Sequence, residues 1–150
     1  MQKYLILLIT VALVAVAFAG CSSFSDTDQK FINSGNEYIK SLQPITDGSL
    51  SSLKNYNQDE QIHYAKQGMS LVDKYLPIIS SYQVSSKVQP IKDELLLSMQ
   101  DYRIAQDNYL KSVVPGDAWQ KIAYLDYSNK NLTSSTEHFE RMKSIMNNLK

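Results

Sequence analysis

The sequence has one cysteine, few glycines and no excess of charge of either sign, and each shortage excludes a class of protein. A single cysteine cannot form a disulfide within the chain, so packing alone must stabilise the fold. With 15 basic and 15 acidic residues, the chain has no net charge that would attract a polyanion. Proteins that bind nucleic acid usually present a basic face. We therefore expect no nucleic-acid partner.

Motifs of catalysis and of cofactor binding are also missing. The sequence contains no glycine-rich phosphate loop, no nucleophile elbow and no Cys-x-x-Cys-His haem motif. Glu60 and His63 form one E-x-x-H pattern, whereas a di-iron bundle uses two such patterns and two further glutamates. The other histidine, His138, follows Glu137 directly and so points to a different side of its helix. We predict no metal site, no cofactor and no enzymatic activity.

The longest apolar run lies at the start of the chain, from Tyr4 to Ala19, and it ends in Phe18-Ala19-Gly20-Cys21. This ending resembles the lipobox of prokaryotic lipoprotein signal peptides, although an aliphatic residue is commoner than Phe at the first position. The resemblance covers about the first 23 residues. It implies that a diacylglyceryl group is attached to Cys21 and that cleavage removes residues 1–20. The alternative is an uncleaved helical anchor, for which the run is barely long enough.

Both interpretations place the rest of the chain outside the cytoplasm. We divide it into a lipidated cysteine with a short linker at 21–27 and a helical bundle domain at 28–150. Two acyl chains give a stable membrane anchor, whereas one chain is marginal. The predicted location is therefore the extracytoplasmic face of a cell membrane, with a lipid as the anchor.

Apolar residues recur at helical spacing in four successive segments, and no long stretch alternates between apolar and polar residues. This pattern predicts helices over 28–56, 59–82, 88–113 and 117–150. Pro44 is expected to kink the first helix, with a full break at 44–48 as the alternative, and Pro77 to bend or end the second. Short connections between helices of comparable length predict an all-α, four-helix, up-down-up-down bundle.

The last segment has the longest apolar face, with spacings of four and three residues that favour a left-handed coiled coil. Its predicted inward positions are Ala118, Ile122, Leu125, Asn129, Leu132, Thr136, Phe139, Met142, Met146 and Leu149.

Three polar residues fall on these inward faces: Gln106, Asn129 and Thr136. Unpaired polar groups are costly inside a protein. One interpretation is that the three pair with each other or with tyrosine hydroxyls and set the register of the helices. The other is that they line a small polar cavity for a ligand.

The second segment carries a further apolar stripe, about 110° around the helix from its main face at about 100° per residue. The stripe either contacts a second neighbouring helix or forms a partner surface, since tyrosine is common in recognition. Its candidate partner residues are Tyr64, Leu71, Tyr75, Ile78 and Tyr82.

The leading hypothesis is a membrane-tethered, non-catalytic interaction or structural module of the cell envelope, with another envelope protein as its partner. The alternative is a solute-binding or sensory bundle that passes a ligand signal to a membrane partner. That alternative resembles the extracytoplasmic four-helix domains of membrane receptors, although no second span or signalling region is present. A cavity lined by Gln106, Asn129 and tyrosines would favour the alternative, and a continuous exposed apolar strip on the second helix would favour the first hypothesis.

Overall fold

The structure is a computed structural model that describes residues 24–149. Within these residues the chain forms four helices: α1 (Asp26–Lys54), α2 (Gln58–Ser81), α3 (Gln89–Val113) and α4 (Ala118–Asn148). They make the all-α, up-down-up-down bundle that the sequence predicts. The predicted signal peptide, the lipidation site Cys21 and the first residues of the linker lie outside the described residues.

The first helix begins at Asp26, two residues earlier than predicted, because the sequence before it forms a capping box. The Ser25 hydroxyl accepts a hydrogen bond from the backbone N–H of Asp28, and the Asp28 carboxylate accepts one from the backbone N–H of Ser25. This reciprocal pair satisfies two donors that a helix start leaves without partners. The end of the predicted linker therefore belongs to α1.

Helix α1 continues without interruption through Pro44, so the alternative break at 44–48 is wrong. Pro77 lies inside the last part of α2, which ends at Ser81, one residue before the predicted end. A proline removes one backbone hydrogen bond and strains the preceding turn. Burial of Leu42 before Pro44, and of Ile79 after Pro77, holds each helix in place across its proline.

Helices that follow one another in the chain pack against each other, most extensively α3 against α4. Helices α1 and α4 approach each other only sparsely, so the bundle is least closed between them. No helix within residues 24–149 combines the length and the apolar character that a membrane crossing needs. The most deeply buried apolar side chains are Phe31, Val72, Ile79, Val88, Leu95, Met99 and Ala105.

Small residues bring α3 and α4 close together. The Ser98 hydroxyl donates to the Ser135 carbonyl at 2.9 Å, and the Ser135 hydroxyl donates to the Ser98 carbonyl at 2.8 Å. Ala105 and Ser128 are also buried on these two helices. Helix separation depends on the size of the side chains at the contact. The contact therefore selects small side chains, whether or not they are apolar.

The predicted inward face of α4 is correct at Met142 and Met146, which are buried in the core, and the contact with α3 corrects it elsewhere. Its buried positions include Ser128 and Ser135, each one residue before a predicted inward residue, while Ala118 is exposed and Ile122 is 48% exposed. Ile122 lies about 140° around the helix from Ser135 at about 100° per residue. The prediction followed hydrophobicity, whereas the packing of α4 on α3 follows size.

Candidate functional site

A cavity of about 80 Å³ lies between the four helices, in the half of the bundle away from the start of α1. A single water needs about 10–15 Å³, so the cavity has room for several waters or for a small solute. None of the residues that line it carries a charge. They are Ser49 and Leu53 of α1, Gln61 of α2, Gln106 and Tyr109 of α3, and Leu125, Ser128, Asn129 and Leu132 of α4.

One wall of the cavity is held by hydrogen bonds between three helices. The Tyr109 hydroxyl of α3 donates to Gln61 Oε1 of α2 at 2.7 Å. Gln61 Nε2 in turn donates to the Ser52 carbonyl of α1 at 3.3 Å. Burial raises the pKa of the Tyr109 hydroxyl, so this group stays protonated and keeps its donor role at neutral pH. The side chains of Gln61 and Tyr109 are therefore hydrogen-bonded to each other in the cavity wall.

Gln106 and Asn129 both line the cavity. Within residues 24–149, neither side-chain amide hydrogen-bonds to another protein group, and neither amide is fully shielded from solvent. Both side chains are only partly buried. The interpretation that they pair with each other or with tyrosine hydroxyls therefore does not hold for these two residues.

Thr136 does not join this site. Its hydroxyl donates to the Leu132 carbonyl of its own helix at 2.9 Å. It lines a separate, smaller space of about 20 Å³, together with Tyr38, Tyr102 and residues of α1, α3 and α4. The hydroxyl is satisfied locally, as is common for threonine within helices.

The stripe predicted on the second helix mostly faces α1. Tyr75 is 7% exposed, and its ring centroid lies 5.9 Å from that of Tyr38. The Tyr82 hydroxyl is 2.9 Å from the Ser34 hydroxyl. These contacts are those of a helix with a second neighbour.

The other stripe residues continue this pattern, with one exception. The Tyr64 ring covers Gly48 of α1 so closely that a Cβ atom there would overlap it. Leu71 packs at the edge of the core, and Ile78 is 40% exposed. The stripe therefore does not form a continuous exposed apolar strip.

A charged cluster on the outer side of α3 and α4 was not predicted. His138 Nδ1 lies 2.6 Å from Glu94 Oε2, and Arg141 Nε donates to the same oxygen at 3.1 Å. Burial raises the pKa of Glu94, but the hydrogen bonds from His138 and Arg141 outweigh it and hold the pKa below its ordinary value. Sequence spacing carried no signal for this cluster, because Glu94 and His138 lie 44 residues apart.

The same cluster contains a serine, an aspartate and a histidine, but not in a nucleophilic arrangement. The Ser134 hydroxyl donates to Asp101 Oδ2 at 2.5 Å, and His138 Nε2 lies 3.8 Å from that carboxylate oxygen. A serine nucleophile needs a base that accepts its proton, commonly a histidine. Among the described residues, no three His, Cys, Asp or Glu side chains are grouped so that they could hold a metal ion.

Comparisons of the chain with protein-family models, with curated proteins and with solved structures find no significant match. A function is therefore proposed from the lipobox-like residues that end at Cys21 and from the geometry of the bundle.

Proposed function

We propose that the chain is a lipid-anchored, non-catalytic binding module of the cell envelope, held at the extracytoplasmic face of a membrane. The observation that carries this proposal is the apolar run that ends in Phe18-Ala19-Gly20-Cys21. The start of α1 at Asp26 supports it, because few residues separate Cys21 from a capped helix. At about 3.5 Å per residue, the chain between Cys21 and Ser25 spans at most about 14 Å. The bundle would therefore sit close to the bilayer.

The proposal that the module is non-catalytic rests on the hydrogen bonds and positions of serine and histidine side chains that could otherwise act in catalysis. The Ser98 and Ser135 hydroxyls each donate a hydrogen bond to a carbonyl of the other's helix, and the Ser134 hydroxyl donates to the Asp101 carboxylate. His63 is exposed and lies against the Tyr64 ring, with 5.5 Å between ring centroids. Acid–base or nucleophilic catalysis needs such groups within reach of one another and of a substrate.

The lipid anchor is tested by metabolic labelling of cells that express the full-length chain, with an alkyne-tagged palmitate as the label. We expect the purified wild-type chain to carry the label and its mass to show that residues 1–20 are gone. Cys21→Ser should lose the label and retain residues 1–20, whereas Ser22→Ala, a change at the next residue, should behave as wild type.

Two results would contradict the anchor. An unlabelled chain that keeps residues 1–20 and sediments with membranes indicates an uncleaved helical anchor. An unlabelled chain in the cytosolic fraction removes the proposed location altogether. Mass spectrometry and fractionation together separate these two cases.

A second candidate concerns what the module binds, and the cavity favours it. Gln106, Asn129 and Tyr109 meet at one cavity, whereas the α2 stripe is largely covered by α1. This arrangement favours a solute-binding bundle over one that docks a partner through α2. In such a module, ligand binding in the cavity would change the packing of the helices, and a second envelope protein would detect that change.

A further inference from the structure

We propose that the cavity binds a small, uncharged molecule that carries a carboxamide-type group on a short aliphatic chain. This proposal rests on the solute-binding role above and adds the chemical class of the solute. Three properties of the cavity support it: its neutral lining, its two free amides and its apolar wall.

The lining excludes a charged ligand. All of the side chains around the cavity are neutral, so an ion inside it would lose hydration without gaining an opposite charge. Burial of an unpaired charge is far more costly than burial of a neutral polar group with hydrogen-bond partners. The Ser128 hydroxyl and the Tyr109–Gln61 pair supply dipoles but no counter-ion.

The free amides of Gln106 and Asn129 define the polar end of the ligand. Each amide offers two N–H donors and one carbonyl acceptor. A ligand that satisfies them needs a donor and an acceptor close together, as in a carboxamide. An ether or a ketone offers an acceptor only and would leave the two amide carbonyls without a partner on the ligand. Tyr109 already donates to Gln61, so its hydroxyl oxygen remains as a further acceptor.

The apolar end of the ligand is defined by three leucines. Leu53 of α1 and Leu125 and Leu132 of α4 line the same cavity as the two amides. Apolar pockets with a few convergent polar groups are typical of small-molecule sites. Helices α1 and α4, which approach each other only sparsely, both line the cavity, and we infer that a ligand enters between them.

The test uses butyramide and butyrate, which have the same carbon skeleton and differ in charge. The full-length chain in detergent micelles is labelled with 15N, and the side-chain NH₂ signals of Gln106 and Asn129 are followed during titration. We expect butyramide to shift both signals saturably and butyrate to bind at least tenfold more weakly. Equal binding of the two compounds would overturn the neutral, carboxamide-type class.

Matched variants show whether binding takes place at this cavity. Asn129→Leu and Gln106→Leu should each weaken butyramide binding at least tenfold. Because both amides are unpaired without ligand, we expect neither variant to lower the unfolding midpoint. Asn131→Leu, at an asparagine whose amide donates to the Tyr127 carbonyl and does not line the cavity, should bind as wild type. Retained binding in both cavity variants would overturn the site.

A parallel titration with glycerol distinguishes the carboxamide-type ligand class from the more general proposal that the cavity binds a solute. If glycerol shifts the two amide signals and butyramide does not, the carboxamide class is wrong and solute binding stands. If neither compound shifts them, both are overturned, while the lipid anchor is judged by its own labelling experiment.

Discussion

At the residue scale, the Asp28 carboxylate is a buried charge with hydrogen-bond partners from two parts of the chain. It is 1% exposed and joins the start of α1 to the loop between α2 and α3. Its Oδ1 accepts from the Ser85 backbone N–H at 2.8 Å, and its Oδ2 accepts from that of Ser25 at 3.0 Å. Burial raises the pKa of Asp28, but these hydrogen bonds outweigh burial, so the pKa lies below its ordinary value of 3.8.

Asp28→Asn should lower the free energy of unfolding at pH 7 by about 1–3 kcal/mol, because a charged acceptor is replaced by an amide that also presents donors. A depressed folded-state pKa contributes stability above the ordinary pKa, and this contribution is lost as the pH falls through the folded-state value. The difference in unfolding free energy between wild type and variant should therefore be largest at neutral pH and decrease below pH 3.8. Urea unfolding at several pH values measures it.

Asp26→Asn provides the control, since Asp26 lies in the same first turn and is exposed. Its effect should be much smaller than that of Asp28→Asn at neutral pH. A difference for Asp28→Asn that is the same at pH 7 and pH 3 would show that the carboxylate charge contributes nothing.

At the scale of elements, the contact between α3 and α4 depends on small side chains. Ser98, Ala105, Ser128 and Ser135 are all buried, and the two serine hydroxyls of Ser98 and Ser135 cross from one helix to the other. Outside this contact, the Glu94–His138–Arg141 cluster joins the same two helices. The pairing of α3 with α4 is therefore held by close backbone approach and by polar contacts at its edge.

Ser135→Val should destabilise the bundle by about 1–3 kcal/mol, because added methyl groups cannot enter a close helix contact without displacing a helix. The change also removes the hydroxyl that donates to the Ser98 carbonyl. Thermal and urea unfolding measure the effect. Ser144→Val, at an exposed position of the same helix, should change stability little. Equal effects of the two changes would show that the contact is not size-limited.

At the scale of the whole molecule, the alternating helices set the two ends of the bundle apart. The start of α1, the loop between α2 and α3 and the end of α4 share one end. The opposite end exposes Tyr56, Val114 and Trp119, which are 93%, 56% and 79% exposed. Helix α4 has 31 residues and is therefore about 46 Å long. With the proposed lipid on Cys21, Trp119 would lie far from the bilayer.

Trp119, the only tryptophan, reports this orientation directly. In vesicles of brominated lipid, we expect the fluorescence of the lipidated wild-type chain to be quenched by acrylamide and not by the lipid. A Phe24→Trp variant in a Trp119→Phe background should show lipid quenching, because Phe24 lies next to the start of α1. Strong lipid quenching of Trp119 would contradict the orientation.

The fold was largely predictable because its signals are local. Apolar periodicity gave the four helices. The cap Asp117 lies at the predicted start of α4, and the cap Asn57 lies two residues before the predicted start of α2. The cavity was predictable only in part. Gln106 and Asn129 were recognised as inward polar residues, and tyrosines were expected beside them. The hydrogen bond between Tyr109 and Gln61 was not predicted, because it depends on how two helices face each other.

The sequence by itself determined the number of helices, their approximate ends and their order, because periodicity and capping act over a few neighbouring residues. Only the tertiary structure decided that Asp28 meets Ser85, 57 residues away, and that Ser98 meets Ser135, 37 residues away. It also decided that Gln106 and Asn129 share a cavity without pairing. The reason is physical: such contacts depend on the rotation and separation of packed helices, which the side chains of all four helices set together.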